Sequence, residues 1–206
     1  MIETKQHILD AAERLFGENG YGATSLRQII KAAGVNLAAV HYHFGSKEEL
    51  LDQIILRDAA ALNQRRAAML DQVEAEAGTS PPSVEKLLEA FFLPMCETAR
   101  QRPAFVKMMS RMQAEGLVQG LMLKHFEPVI VRFLKALQRA LPDVPEVEVL
   151  WRVHFMIGAM THAMGRTPEF SKSMGVVLRV GDYREMFQRL IVFLGAGFQA
   201  GMPQGK

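Results

Sequence analysis

With 206 residues, 49% of them hydrophobic, the chain can bury one sizeable core, or join a small domain of about 50 residues to a larger one. No apolar run approaches the roughly 18 to 20 residues of a membrane span, the N-terminus lacks a signal-peptide layout, and Cys96 is the only cysteine, which excludes an intrachain disulfide and a thiolate zinc cluster. The formal net charge is only +2, and residues 1–50 carry five basic against six acidic side chains, so any nucleic-acid contact must come from a local patch and not from overall charge.

In chain order, residues 4–19 place Ile8, Leu9, Ala12, Leu15 and Phe16 on one face of a first amphipathic helix, with Gly20 as its stop. Ser25 with Gln28 three residues on reads as a capping box for a short second helix whose apolar positions are Leu26, Ile29, Ile30 and Ala33, stopped by Gly34. Asn36 is the N-cap residue expected for a third short helix ending near Phe44 and Gly45, and Ser46 with Glu49 opens a fourth. The fourth runs from Lys47 to about Ala77 through Leu50, Leu51, Ile54, Ile55, Leu62, Met69 and Val73, and the turn-rich residues 78–83 end it. Further helices are predicted at 83–101, 103–115, 118–141, 146–166 and 182–202, with residues 167–181 read as a connection and a strand signal only at 176–180. Pro94 and Pro128 fall inside predicted helices and are expected to kink or divide them.

Residues 25–44 meet the needs of a helix-turn-helix: two short helices joined by a tight glycine turn, the second free to enter the major groove. With Val40 and Phe44 facing inward, a step of about 100° per residue turns Ala38 and Tyr42 outward, with Ala39 and His41 on the flanks and Leu37 at the border. The run TSLRQIIKAAGVNLAAVHYHFGSKEELL at residues 24–51 resembles the signature of the TetR family of bacterial transcriptional regulators, and residues 8–21 resemble that family's first helix. The resemblance implies a regulator, in the family's common mode a repressor, that binds a double-stranded, palindromic DNA operator as a homodimer and is released by a small effector.

By the same resemblance Thr24 or Ser25, together with Arg27, meets the DNA backbone at the start of the second helix, Tyr42 and His43 bind phosphate, and Lys47 meets phosphate from the fourth helix. Helix N-termini and a full positive charge suit that task on physical grounds as well. Asn36 and the first recognition positions complete the expected interface. Leu37, Ala38 and Ala39 depart from the family pattern: none can hydrogen-bond a base edge, so readout is expected to rest on thymine methyls together with Arg27 and His41.

The implied fold is all-α: an N-terminal three-helix helix-turn-helix domain at 1–48, joined by the long fourth helix to a helical ligand-binding and dimerisation domain at 49–206. That second part is rich in Met and Phe, including Phe92, Met95, Met109, Met112 and Phe126, which suits either a plain helical core or a soft lining for an elongated apolar effector. A narrower resemblance, of residues 36–40 and 148–159, is to the fatty-acid-responsive PsrA-type branch. It implies a long-chain acyl effector whose polar head pairs with His154 and Arg111 or Arg132, each otherwise a surface or interhelical residue. For dimerisation the expected faces carry Trp151, Phe155, Ala159 and His162 on one helix and Phe187, Leu190, Ile191, Leu194 and Gly197 on another, packed as a four-helix bundle with the symmetry mate. Enzymatic function is not expected: His41 and His43, two apart on a helix, diverge by about 200°, and no nucleophile motif is present. No cofactor or metal and no membrane partner are expected, and the expected location is the cytoplasm.

Overall fold

The computed structural model describes residues 2–116, 119–165, 167–175 and 183–201. Among them it holds ten helices and no strand: α1 (Ile2–Asn19), α2 (Leu26–Ala33), α3 (Leu37–Phe44), α4 (Lys47–Ala77), α5 (Val84–Gln101), α6 (Pro103–Ala114), α7 (Gln119–Ala140), α8 (Glu146–Gly165), α9 (Thr167–Ser173) and α10 (Tyr183–Gln199). The strand signal at 176–180 lies outside the described residues. Residues 167–173, read from sequence as connection, form α9; the helix-start composition Thr167-Pro168-Glu169 favours that first turn, and seven residues are too few to show a periodic apolar face. Both α5 and α7 run through their prolines without division.

The helix ends follow their local chemistry. Ser25 accepts from the Gln28 amide while the Gln28 side chain accepts from the Ser25 amide, closing the predicted capping box. Gly34 ends α2 at φ 67°, in the left-handed region where a side chain is strained. Ser46 accepts from the Glu49 amide at the start of α4.

The chain forms two compact units, each discontinuous in sequence. The first comprises Met1–Ala61 and Gln101–His125, and the second Leu62–Arg100 and Phe126–Lys206. A single cut between residues 48 and 49 does not coincide with them, because α6 and the start of α4 belong with the N-terminal helices.

In the first unit the core is built from Ile8, Ala12 and Phe16 of α1, Ile29 of α2, Val40 and Phe44 of α3, Leu50, Ile54 and Ile55 of α4, and Phe105, Met108 and Met112 of α6. Close packing of α1 on α6 depends on Gly17, where an added Cβ would stand 3.3 Å from the Met108 backbone nitrogen. The second unit has its own core, centred on Phe91, Phe92, Phe133, Leu137, Val153 and Phe187. There Arg152 donates to the Phe198 and Ala200 carbonyls at 2.7 and 3.0 Å while its Nε pairs with Glu148 at 2.9 Å. One guanidinium on α8 thus satisfies carbonyls left open at the end of α10.

Candidate functional site

The turn between α2 and α3 presents a small polar surface. Ser25 and Arg27 are exposed at the N-terminus of α2, where the backbone amides of a helix's first turn favour an anion. Arg27 makes no ion pair among the described residues, so its charge is open to solvent. Asn36, also exposed, immediately precedes α3. On α3, Val40 and Phe44 are buried as the spacing predicts, and Tyr42, 77% exposed, projects from the opposite face with its ring edge-on to half-buried His43 at 5.1 Å. A phenol held this openly can donate to a phosphate oxygen. The side chains of Leu37, Ala38, Ala39 and His41 lie outside the described part of the structure.

Two residues expected to contact DNA have internal tasks. Thr24 is buried; its hydroxyl donates to the Gly20 carbonyl at 2.7 Å and lies 3.2 Å from that of Leu15, so this side chain pins the α1–α2 turn and Ser25 is the residue left facing outward. The Lys47 ammonium donates to the Tyr21 and Thr24 carbonyls, both at 3.0 Å, and sits 4.2 Å from the Tyr21 ring centroid. Two of its three donors therefore tie α4 to the same turn, leaving one for an external anion. Sequence gave no sign of this, since the carbonyls of a turn leave no trace in residue type.

The first unit also holds a cluster of charges, built from α1, α4 and Arg102. Glu13 is buried and accepts from both Arg57 and Arg102, while Asp58, also buried, pairs with the same two arginines at 3.2 Å each. Burial pushes the Glu13 carboxyl up to about 7, with Arg57 pulling the other way and Asp58 and Asp10 adding to the rise. Burial likewise raises Asp58 against the pull of Arg57. On the α4–α7 side, burial raises Asp52, but hydrogen bonds from Lys124 and His125 outweigh it and hold the carboxyl below its ordinary value.

The residues expected to line an effector site are divided between the two units. Met109 and Met112 belong to the first unit, whereas Phe92, Met95, Phe126 and His154 belong to the second. Phe92 is fully buried and stacked on Phe187 at 5.4 Å, Phe126 is buried and Met95 partly buried. His154 is exposed on α8, edge-on to Trp151, and so faces away from the unit's interior. The other two head-group candidates are occupied. Arg111 donates to the Glu18 and Asn19 carbonyls at the end of α1, and Arg132 pairs with Asp71 and Glu74.

The expected dimer faces divide as well. Trp151 and Phe155 stack on each other and are each more than half exposed, while His162 and Gly197 are exposed and Ala159 is partly buried against the core. Phe187, Leu190, Ile191 and Leu194 are buried in the chain's own core, so their first task is to hold α10 to its unit. Their spacing defines the inward stripe of α10. Val192 and Phe193 fall off that stripe and are the exposed apolar pair instead; a helical projection centred on Phe187 and Leu194 would have found them.

Comparison with known proteins places this geometry. The model described as bacterial regulatory proteins, tetR family, matches residues 8–54, and the tetracycline repressor-like C-terminal domain matches residues 89–197. The regulator AcrR of Shigella flexneri is 52% identical over 52 residues, which are 25% of this chain and 24% of AcrR. BetI of Rhizobium meliloti is 28% identical over 127 residues, 55% of this chain and 63% of BetI. The chain thus spans less than two thirds of these curated relatives. Among solved structures, PfmR from Thermus thermophilus superimposes with a TM-score of 0.59 at 21% identity, covering 96% of each chain. A transcriptional regulator from Aquifex aeolicus gives 0.55 at 23% identity, covering 94% of this chain and 96% of its own. With the N-terminal signature matched and a C-terminal model spanning more than half of its length, the chain belongs to the TetR family of bacterial regulatory proteins.

Proposed function

We propose that the chain is a ligand-responsive transcriptional repressor that grips a palindromic operator as a homodimer and lets go when a small effector with an apolar body binds its second unit. The observation that carries the DNA half is the motif itself: a capped α2, left-handed Gly34, and an α3 anchored by Val40 and Phe44 with Tyr42 thrown outward. Ser25, Arg27, Tyr42 and His43 would meet the backbone, with Asn36 and the first residues of α3 against the bases. Gel shift with DNA from the gene's own upstream region tests this directly. A discrete, competitor-resistant complex that Tyr42→Phe weakens is expected; no shift with any upstream fragment removes the reading.

A single eight-residue helix contacts few bases, and two bound about 34 to 36 Å apart can read a palindrome. What supports a homodimer here is the outward apolar surface of the second unit, with Trp151 and Phe155 on α8 and Val192 and Phe193 on α10. Sedimentation should find a dimer at micromolar concentration, and Val192→Asp with Phe193→Asp should give a helical monomer that no longer shifts the operator. A wild-type monomer would sink this part alone. The finer resemblance to an acyl-responsive branch draws no support from His154, which points to solvent.

A further inference from the structure

We propose that Arg66 anchors the effector, which is an organic monocarboxylate with an apolar body held in the second unit. This rests on reading that unit as the effector domain and names the chemistry it would recognise. The buried stripe of α4 in this unit runs Leu62, Arg66, Leu70, Val73, so a guanidinium stands where the helical period calls for hydrocarbon. Arg66 is only 4% exposed. Its Cζ lies 3.9 Å from the Phe91 ring centroid and 5.9 Å from that of Phe126.

One donor is in use: Nε gives a hydrogen bond to the Phe91 carbonyl at 2.9 Å. The planar fork of Nη1 and Nη2 makes no hydrogen bond, and no carboxylate stands within ion-pair distance of Arg66 among the described residues. Burial alone acts on the group, lowering its pKa to about 9, so it is a cation at neutral pH. Buried cations are ordinarily paired, and this one lies against phenyl rings with no counter-ion among the described residues.

The missing partner has definable properties. It must be planar and bidentate to satisfy the fork, which a carboxylate does. It should carry one charge and not two, since a second would be left uncompensated among Phe91, Phe126 and their neighbours. Apolar atoms must follow the carboxylate, because the surroundings offer phenyl and alkyl surface.

Calorimetry and thermal shift on the full chain test this with four probes: decanoate and 4-phenylbutyrate, against 1-decanol and 4-phenylbutanol of matched shape. At least one carboxylate should bind the wild type roughly ten- to a hundredfold more tightly than its alcohol, the range of a charge-assisted hydrogen bond. Arg66→Met should erase that preference while retaining helicity by circular dichroism. Arg66→Lys, which keeps the charge without the fork, should retain only part of it. Equal binding of acid and alcohol by the wild type, a preference that survives Arg66→Met, or no binding of any probe at millimolar concentration would each overturn the proposal. The wild-type comparison stands even if Arg66→Met fails to fold. Gel shift of the ligand-free protein separates the two readings: an operator complex with no carboxylate preference removes the anchor alone, whereas Arg66-dependent binding without any operator complex removes the repressor reading.

Discussion

Two sites, one in each compact unit, bury arginine in opposite ways. In the first, Arg57 and Arg102 face Glu13, Asp58 and Asp10 in a closed ionic cluster, so each buried charge meets its opposite inside the chain. In the second, Arg66 is more deeply buried than either and, among the described residues, meets a carbonyl and two phenyl rings. Breaking a closed cluster exposes its members to one another's absence, whereas removing an unmatched ion relieves a cost already present. The contrast therefore separates an arginine that holds the fold from one available to something outside it.

The same replacement at the two sites should give opposite signs. Arg57→Met leaves Glu13 and Asp58 buried with less positive charge, and should cost about 3 kcal/mol of unfolding free energy at pH 8. That loss should shrink at pH 5, where a carboxyl near 7 has taken up its proton. Equal losses at both pH values in denaturant titrations would mean that the cluster acts by packing and not by charge.

Glu13 also makes a prediction for the unsubstituted chain. Its folded pKa, about 7, lies above the ordinary 4.5, so between these values the folded chain holds a proton that the unfolded chain has released. Its contribution to stability therefore falls as pH rises from about 4.5 to 7 and is level above that. Glu13→Gln should flatten this part of the stability profile, and an unchanged slope would place the titration elsewhere. Asp52, held low, has the opposite sign: its contribution is present above its unfolded value of 3.8 and fades as pH falls through the lower folded one.

Arg66→Met should leave stability unchanged or raise it by about 1 to 2 kcal/mol, since the hydrocarbon fits the stripe and only one hydrogen bond is lost. A loss as large as that of Arg57→Met would erase the contrast between the two sites. Smaller again, Ser25→Ala should cost about 1 kcal/mol by opening the capping box, read as a drop in thermal midpoint. Tyr42→Phe, at an exposed site, should leave that midpoint in place while weakening operator binding; a fall in both would give the phenol a structural task.

Much of the fold was legible because its punctuation is local. The bounds of α4, the capping box of α2, the left-handed stop at Gly34 and the inward pair Val40 and Phe44 each follow from residue type and spacing within a few positions. The direction in which α10 spends its apolar residues was not, because Phe187 and Phe193 are the same residue in composition and differ only in what lies beside them. For the same reason Lys47 and Thr24 read as surface groups until the carbonyls of the α1–α2 turn were in place. Arg66 did leave a trace, as a cation four residues beyond Leu62 and four before Leu70, but a periodicity search that counts only apolar positions steps over it.

The Arg152 clasp between α8 and the end of α10 has an entropic side. Because its guanidinium ties α8 to the end of α10 at two carbonyls and is itself steadied by Glu148 of α8, the rows carrying Trp151 and Phe155, and Val192 and Phe193, are held in one register before any encounter. In the proposed homodimer little backbone freedom then remains to be lost on docking, so more of the burial of those four side chains is retained as affinity. Loosening the clasp, as in Arg152→Gln, would weaken self-association from a residue buried within its own unit.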